Sequence, residues 1–263
     1  MAFRRKESTM KDTNPNAEIS RREFVQAAAV AGAGLTLGLP AWAQEAEEKV
    51  DELAVAIIGP GSQGINLVNN CLKIPGIRFT AICDIWEYSR KRCSGLLGKY
   101  DQKVSVYDDY REMLDKEKHI DAVIVATPDW MHAEHANACL KAGKHVYCEK
   151  EMSNTVEKAA SMVRNGRETG KLLQIGHQRR SNPRYWHAIK LIENDKILGR
   201  ITHVNGQWNR AVSEDLGWPE RYAMTEEQLA KYGYANMHEF RNWRWFRKYG
   251  GGPISDLGAH QID

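Results

Sequence analysis

One stretch decides the fold of this chain: Ala54-Val-Ala-Ile-Ile-Gly-Pro-Gly-Ser-Gln-Gly64. Its first five residues are a short apolar run rich in Val and Ile, which is typical of a buried parallel strand. The run leads into a G-x-G-x-x-G turn, and the apolar residues after the turn have helical spacing. Gly59 allows the tight turn, Gly61 lets a pyrophosphate approach the backbone, and Gly64 lets the helix pack against the strand.

A carboxylate follows at the position where a dinucleotide ribose would be held. The apolar stretch 77–83 ends in Asp84, twenty positions after the last glycine of the turn. A carboxylate there hydrogen-bonds the ribose hydroxyls of NAD and repels the 2′-phosphate of NADP. Because residues 90–92 are basic and can offset that repulsion, NADP stays the less favoured alternative. We expect Ser62 and Gln63 to contact the cofactor too, and a ligand-free structural turn is the competing interpretation.

The first 43 residues have the layout of an export signal. The sequence Ser20-Arg21-Arg22-Glu23-Phe24 precedes an apolar run rich in Ala and Gly, and residues 41–43 supply a small-residue cleavage site. The paired arginines resemble the twin-arginine pattern, from which Val25 and Gln26 depart. We expect residues 1–43 to direct export by the twin-arginine machinery to the periplasm, with a tightly bound dinucleotide. A leader without this meaning and an uncleaved anchor are the alternatives.

Charge and cysteine content narrow the range of partners. Residues 1–43 hold six of the 37 basic and four of the 34 acidic side chains, which leaves 31 against 30. A nearly neutral mature chain gives no reason to expect a nucleic-acid partner. The five cysteines are odd in number and include no C-x-x-C pair, so we expect buried free thiols and no metal site.

Strand-like and helix-like stretches alternate from residue 52 onward. The later apolar runs lie at 77–83, 104–107, 120–126, 145–148 and 172–175. Six such steps predict an α/β fold, a doubly wound parallel Rossmann sheet over residues 52–178. Ligands bind beyond the carboxyl ends of the strands in a sheet of this kind. After the sixth run we expect a connecting helix at 184–194 and a half-buried strand at 201–208.

Four further motifs stand at the ends of predicted strands. They are Ala126-Thr127-Pro128-Asp129-Trp130-Met131-His132, the segment 142–150 ending in Glu149-Lys150, the segment 176–183 with His177, Arg179 and Arg180, and the segment 250–263 with Asp256 and His260. Together with the glycine turn they resemble the Gfo/Idh/MocA family, which includes glucose–fructose oxidoreductase and inositol dehydrogenases. The resemblance covers residues 52–263.

The resemblance implies an NAD(P)-dependent oxidoreductase acting on a secondary hydroxyl of a sugar, polyol or glycoside. In the family the Lys of an E-K-P motif, here Lys150, lies beside the nicotinamide, and Asp256 and His260 face it. We assign His260 as general base or acid, Lys150 as stabiliser of the alkoxide, and Asp256 as the residue that orients His260 or the substrate. Lys150 is the alternative base.

Other motif residues are expected to line the cofactor or the substrate. The cofactor set is Gly59, Gly61, Ser62, Gln63, Gly64, Asp84, Thr127, Pro128, His132, Glu149, Lys150 and His177. Arg179, Arg180 and Trp208 are expected at the substrate, with a structural ion pair as the alternative for the two arginines. Flat aromatic faces that can stack on sugar rings are offered by Trp208, Trp218, Trp243 and Trp245. The alternative is that these side chains fill a core.

Two departures from the family pattern bear on this site. The family's E-K-P is Glu149-Lys150-Glu151 here, so the turn that aims Lys150 can differ. The family's second domain has an open mixed sheet that continues well beyond the equivalent of Asp263. We therefore expect residues 179–263 to be only the beginning of an α+β substrate and oligomerisation domain, truncated here, and a homo-oligomer when the chain is full length.

Two other functions compete with the dehydrogenase. A redox-assisted glycoside hydrolase or lyase would oxidise the sugar transiently, eliminate the aglycone and reduce the sugar again, with no net redox change. A dinucleotide-binding scaffold without turnover is the third hypothesis, motivated by Glu151 and by the missing sheet.

Overall fold

The computed structural model describes residues 52–209 and 215–263. The predicted export signal lies outside these residues. Within them, no helix combines the length and the apolar content that a membrane span requires.

Six parallel strands form one sheet. They are β1 (Leu53–Ile58), β2 (Ile77–Cys83), β3 (Ser105–Tyr107), β4 (Ala122–Val125), β5 (His145–Glu149) and β6 (Leu173–Gly176). Their order in the sheet is β3-β2-β1-β4-β5-β6, which confirms the predicted doubly wound Rossmann arrangement. The strand order reverses between β1 and β4, and this reversal opens a crevice at the carboxyl ends of the strands.

Five helices connect the strands. They are α1 (Ser62–Cys71), α2 (Glu87–Gly98), α3 (Tyr110–Lys116), α4 (Asp129–Lys141) and α5 (Val156–Thr169). Two of them begin at a capping side chain, because Asp109 accepts from the N–H of Arg111 and Thr155 accepts from the N–H of Lys158. After β6 the helices are short: α6 (Pro183–Ile189), α7 (Glu226–Lys231), α8 (Met237–Arg241) and α9 (Ala259–Ile262).

The sheet separates two apolar cores. Ala56 and Ile58 of β1 face one core, while Val55 and Ile57 face the other, and all four are buried. A strand covered on both faces must be apolar throughout, which explains the unbroken run in the sequence. The cysteines support both cores as thiols, with four of the five buried. Burial raises the pKa of Cys93 to about 12, so that thiol stays protonated.

The predicted strand at 201–208 is wrong. These residues have no regular secondary structure and are exposed, and Val204 is 79% accessible. A strand needs a hydrogen-bonded neighbour, and the described residues contain no strand after β6. The predicted helix at 184–194 is confirmed, since α6 continues as a wider turn over Lys190–Asn194.

Residues 216–249 pack against residues that follow β2 and β4, such as Trp86 and Trp130, and we call this segment the cap. Leu229, Tyr234, Met237 and Tyr249 form a third apolar cluster with Trp86, which follows β2. The indole nitrogen of Trp86 donates to the carbonyl oxygen of Tyr222 at 2.6 Å. Among the tryptophans considered for sugar stacking, Trp218 and Trp243 pack against this cluster.

The glycine turn has no room for side chains at two of its three positions. Gly59 has a φ of +84°, and a Cβ on it would lie 2.7 Å from Thr127 Cγ2. A Cβ on Gly64 would lie 2.5 Å from the carbonyl oxygen of Gly59. At Gly61 a Cβ would meet nothing within 4 Å, so this backbone faces open space.

We therefore predict opposite effects for two Gly→Ala substitutions in helices. Gly64→Ala forces the turn apart and lowers the free energy of unfolding by about 1–3 kcal/mol. Gly95→Ala, inside α2 with nothing within 4 Å of the added Cβ, raises it by about 0.5–1 kcal/mol. Urea unfolding of both variants measures the difference, and equal effects would contradict the packing described for the turn.

Candidate active site

A cavity of about 680 Å³ lies at the carboxyl ends of the strands. Its wall contains the glycine turn, the ends of β2, β4 and β5, residues of the cap, and the segment that carries Asp256 and His260. A cavity of this size is typical of a small-molecule or cofactor site.

The glycine turn forms one part of the wall, through Gly59, Gly61, Ser62 and Gln63. Helix α1 begins at Ser62, so its first N–H groups and the positive end of its dipole are available to an anion. The side-chain nitrogen of Gln63 donates to Glu149 Oε1 at 3.0 Å, which connects the turn to the end of β5. This part of the cavity fits a diphosphate.

Asp84 lies at the end of β2, as predicted, and lines the cavity. Its Oδ1 accepts from the backbone N–H of Trp86 at 2.8 Å. Burial raises the pKa of this carboxyl to about 6. Arg90, considered as a partner for a 2′-phosphate, donates instead to the main-chain oxygen of Asp84 at 2.6 Å. On the cap side, the Arg241 guanidinium lies 4.7 Å from the Trp86 ring centre.

The turn after β4 contributes Thr127 and Pro128 to the wall. His132, expected at the cofactor, is instead fully buried beneath this turn. Its Nε2 lies 2.8 Å from the carbonyl oxygen of Thr127, and its Nδ1 lies 2.5 Å from that of Glu151. The imidazole therefore joins the turn after β4 to the turn after β5.

The three predicted catalytic residues meet in the cavity. Lys150, Asp256 and His260 all line it, and Lys150 Nζ donates to the main-chain oxygen of Asp256 at 2.6 Å. The Lys150–Glu151 peptide bond is cis. Trp208 stacks on His260 with 5.1 Å between ring centres, and it lines the same cavity.

The surroundings of His260 suit proton transfer. Partial burial lowers its pKa, and the charges of Lys150 and Arg179 act in the same direction. A neutral imidazole at neutral pH can accept a proton from a hydroxyl. The Asp256 carboxylate pairs with Arg244 of the cap, with 3.4 Å between Oδ1 and Nε. Its main-chain oxygen is the acceptor for Lys150.

The segment after β6 contributes less to the cavity than expected. Arg180 Nε lies 2.6 Å from Asp263 Oδ1, and His177 Nδ1 lies 3.3 Å from the same oxygen. The Arg179 guanidinium lies 5.5 Å from the ring centre of Trp208. From this segment it is Gln178 that lines the cavity.

Asp129, Arg241 and Arg244 are among the charged residues of the cavity to which the sequence assigned no role. Asp129 is buried at the start of α4, where burial raises its pKa to about 6 against the opposing charges of Lys150 and Arg244. The polar Asp129 at a strand end, inside a quoted motif, was a usable signal. Arg241 gave no signal, because its neighbour Trp86 lies far away in the sequence, and Arg244 belongs to no motif or periodic pattern. The described residues contain no group of His, Cys, Asp and Glu able to hold a metal.

The pKa of Asp129 predicts a pH-dependent stability. The Asp129 carboxyl holds its proton more tightly in the folded protein than in the unfolded chain. Its contribution to the free energy of unfolding is therefore fully present below pH 3.8 and is lost as the pH rises through about 6. We expect Asp129→Asn to be more stable than the wild type by about 2 kcal/mol at pH 8, and by much less at pH 4. Denaturant unfolding at both pH values checks this, with exposed Asp195→Asn as the control. A gain that is larger at pH 4 would contradict it.

Comparison with known proteins agrees with this geometry. Residues 53–177 match the GFO_IDH_MocA family, an oxidoreductase family with an NAD-binding Rossmann fold. Inositol 2-dehydrogenase of Rubrobacter xylanophilus is 27% identical over 198 residues, which cover 74% of this chain and 52% of that protein. Glycosyl hydrolase family 109 protein 2 of Shewanella sp. strain ANA-3 is 26% identical over 259 residues, which cover 89% of this chain and 54% of that protein.

A solved structure shows the same fold. The scyllo-inositol dehydrogenase of Lactobacillus casei, with bound NAD(H) and scyllo-inositol, matches with a TM-score of 0.51 and 26% identity over 56% of this chain and 42% of its own. The chain spans about half the length of the curated relatives it matches. Residues 53–177 of this chain therefore form a Gfo/Idh/MocA family domain, the NAD-binding Rossmann domain of that oxidoreductase family.

Proposed function

We propose that this protein moves a hydride between NAD and a secondary hydroxyl of a sugar, polyol or glycoside. The observation that carries the proposal is the content of one cavity. The glycine turn and Asp84 line it, and so do Lys150, Asp256 and His260. A dinucleotide laid along the wall would place its diphosphate at the turn, its ribose at Asp84 and its reactive ring near the catalytic residues.

The residues divide the work of an alcohol oxidation. Bound NAD supplies the hydride acceptor. His260, with its lowered pKa, takes the hydroxyl proton, and the charge of Lys150 stabilises the alkoxide as the proton leaves. Trp208 beside His260 offers an apolar face for the C–H side of a sugar ring. Arg244 holds the Asp256 carboxylate at the same end of the cavity.

A redox-assisted glycoside hydrolase is the second candidate. The Shewanella family 109 glycosyl hydrolase matches 89% of this chain, a larger share than the 74% matched by the inositol 2-dehydrogenase. Such an enzyme would return the hydride to the same sugar, so its products would be a free sugar and an aglycone without accumulated NADH. A keto-sugar with NADH would instead support the dehydrogenase.

Export and assembly extend the proposal to the whole protein. The paired Arg21 and Arg22, the apolar run and the small-residue exit support export by the twin-arginine machinery. That pathway carries folded proteins, which favours a cofactor loaded in the cytoplasm and kept through turnover. Cell fractionation of a variant with both arginines replaced by lysine tests this. A homo-oligomer is also proposed, on the family pattern alone.

The cap supports a retained cofactor. An open Rossmann domain leaves one side of the dinucleotide in solvent, but here Tyr232, Tyr234, Phe240 and Arg241 contribute to the cavity wall on that side. The cap is fastened by its apolar cluster on Trp86. Release of a bound dinucleotide would require this cluster to separate, which slows dissociation.

The catalytic assignment predicts a loss of turnover on removal of the Lys150 charge. Lys150→Met keeps the length of the side chain but removes its ammonium group, and we expect kcat/KM to fall by about 10²–10⁴. Purified protein is screened against sugars and polyols by nicotinamide absorbance, with product analysis for glycosides. Lys141→Met, at the exposed end of α4, is the matched control. Equal activity of the two variants would favour the non-catalytic scaffold.

The cap predicts a slow release of NAD that depends on its packing. Leu229 is 1% exposed, and Leu229→Ala leaves a hole beneath the cap. We expect NAD to dissociate about tenfold faster or more from this variant, because loosening the cap acts mainly on the off-rate. Leu198→Ala, 60% exposed and outside the cap, is the control. Mass spectrometry of dinucleotide retained after dialysis gives the readout, and equal retention would exclude a role of the cap.

A further inference from the structure

The residue after Lys150 contacts it from outside the lining of the cavity. Glu151 Oε1 lies 3.8 Å from Lys150 Nζ, and Glu151 Oε2 accepts a hydrogen bond from the hydroxyl of Ser255. The side chains of Lys150 and Glu151 are only 13% and 17% exposed. A charge pair this well shielded interacts more strongly than one at the surface, because little water screens it.

The charge of Glu151 depends on this lysine. Among the described residues, its Oε1 is an enclosed atom without a hydrogen-bond donor, so the Lys150 ammonium is what compensates it. Burial raises the pKa of Glu151, and the nearby charges of Asp129 and Asp256 act in the same direction. The Ser255 hydrogen bond and the Lys150 charge oppose them.

Two contacts join the same two segments of the chain. Lys150 donates to the main-chain oxygen of Asp256. Glu151 accepts a hydrogen bond from Ser255, which directly precedes Asp256 in the chain. The turn after β5 is therefore connected twice to the segment that carries Asp256 and His260. The ammonium of Lys150 has three N–H groups. One is used on Asp256 and one faces Glu151, which leaves one for the cavity.

We propose that Glu151 is a positioning residue that, with Ser255, holds the Lys150 ammonium so that its free N–H meets the reacting hydroxyl. This inference rests on the proposed oxidoreductase function. Glu151 acts through Lys150 and does not itself touch the substrate. Its carboxylate supplies the charge that faces the lysine, and it accepts the Ser255 hydrogen bond that holds the turn after β5 against the opposite segment.

Substitutions at Glu151 separate this role from a purely structural one. Glu151→Gln keeps the shape and removes the charge, and we expect kcat to fall about tenfold, which corresponds to ~1.4 kcal/mol of transition-state stabilisation. The KM for the sugar and the retention of NAD should change by less than about twofold, because neither contact involves Glu151. Glu151→Asp, which keeps the charge, should recover part of the lost kcat. Ser255→Ala should lower kcat in the same direction.

The matched control is Glu157→Gln, which makes the same change at an exposed position on α5. Thermal unfolding of each variant reports whether the protein is folded. A folded Glu151→Gln variant with the kcat of the wild type would overturn the inference. So would a loss of kcat that Glu151→Asp does not reverse at all.

A second measurement needs no substrate. Competitive acetylation followed by mass spectrometry compares the reactivity of Lys150 with that of exposed Lys99 in the same sample. If Glu151 holds the ammonium, Glu151→Gln makes Lys150 react several-fold faster relative to Lys99. Unchanged labelling overturns the inference. A wild type without activity on any sugar would contradict the proposed function, while the labelling result would still decide on Glu151.

Discussion

A buried imidazole joins the two turns on which the site is built. His132 contacts the main-chain oxygens of Thr127 after β4 and Glu151 after β5, at 2.8 and 2.5 Å. Both partners are carbonyl oxygens, which only accept, so the two hydrogen bonds form together when both ring nitrogens carry a proton; burial lowers the pKa of this imidazole, and the two oxygens act in the opposite direction. One turn lines the cavity next to the glycine turn, and the other carries Lys150. The separation between the turn after β4 and Lys150 is therefore set through a ring that has no exposed surface.

The charges around this join are nearly balanced and poorly solvated. Three carboxylates, Asp129, Glu151 and Asp256, lie near two cations, Lys150 and Arg244. In such surroundings each charge depends strongly on its neighbours, since little water is present to screen them. The raised pKa values of Asp129 and Glu151 express that shortage of solvation. The same property makes the position of the Lys150 ammonium sensitive to any one of these side chains.

The elements formed by neighbouring residues could be predicted from the sequence, whereas the contacts between distant segments could not. The six strands and the glycine turn follow from short apolar runs and fixed spacings, which neighbouring residues alone determine. The strand at 201–208 was wrong because alternation shows a face to be buried but does not supply a neighbouring strand. The cap could not be foreseen, since its cluster depends on Trp86, more than a hundred residues earlier.

The position of the cap in the chain has a consequence for the order of assembly. Residues 52–178 leave the ribosome before the cap does, and they contain all six strands of the described residues. Until the cap is made, the crevice is open on the side where Trp86 later packs against the aromatic residues of the cap. A ligand that binds the native sheet stabilises it by mass action, so a nucleotide present during synthesis would act as a folding partner. The nascent protein would thus close around its own cofactor.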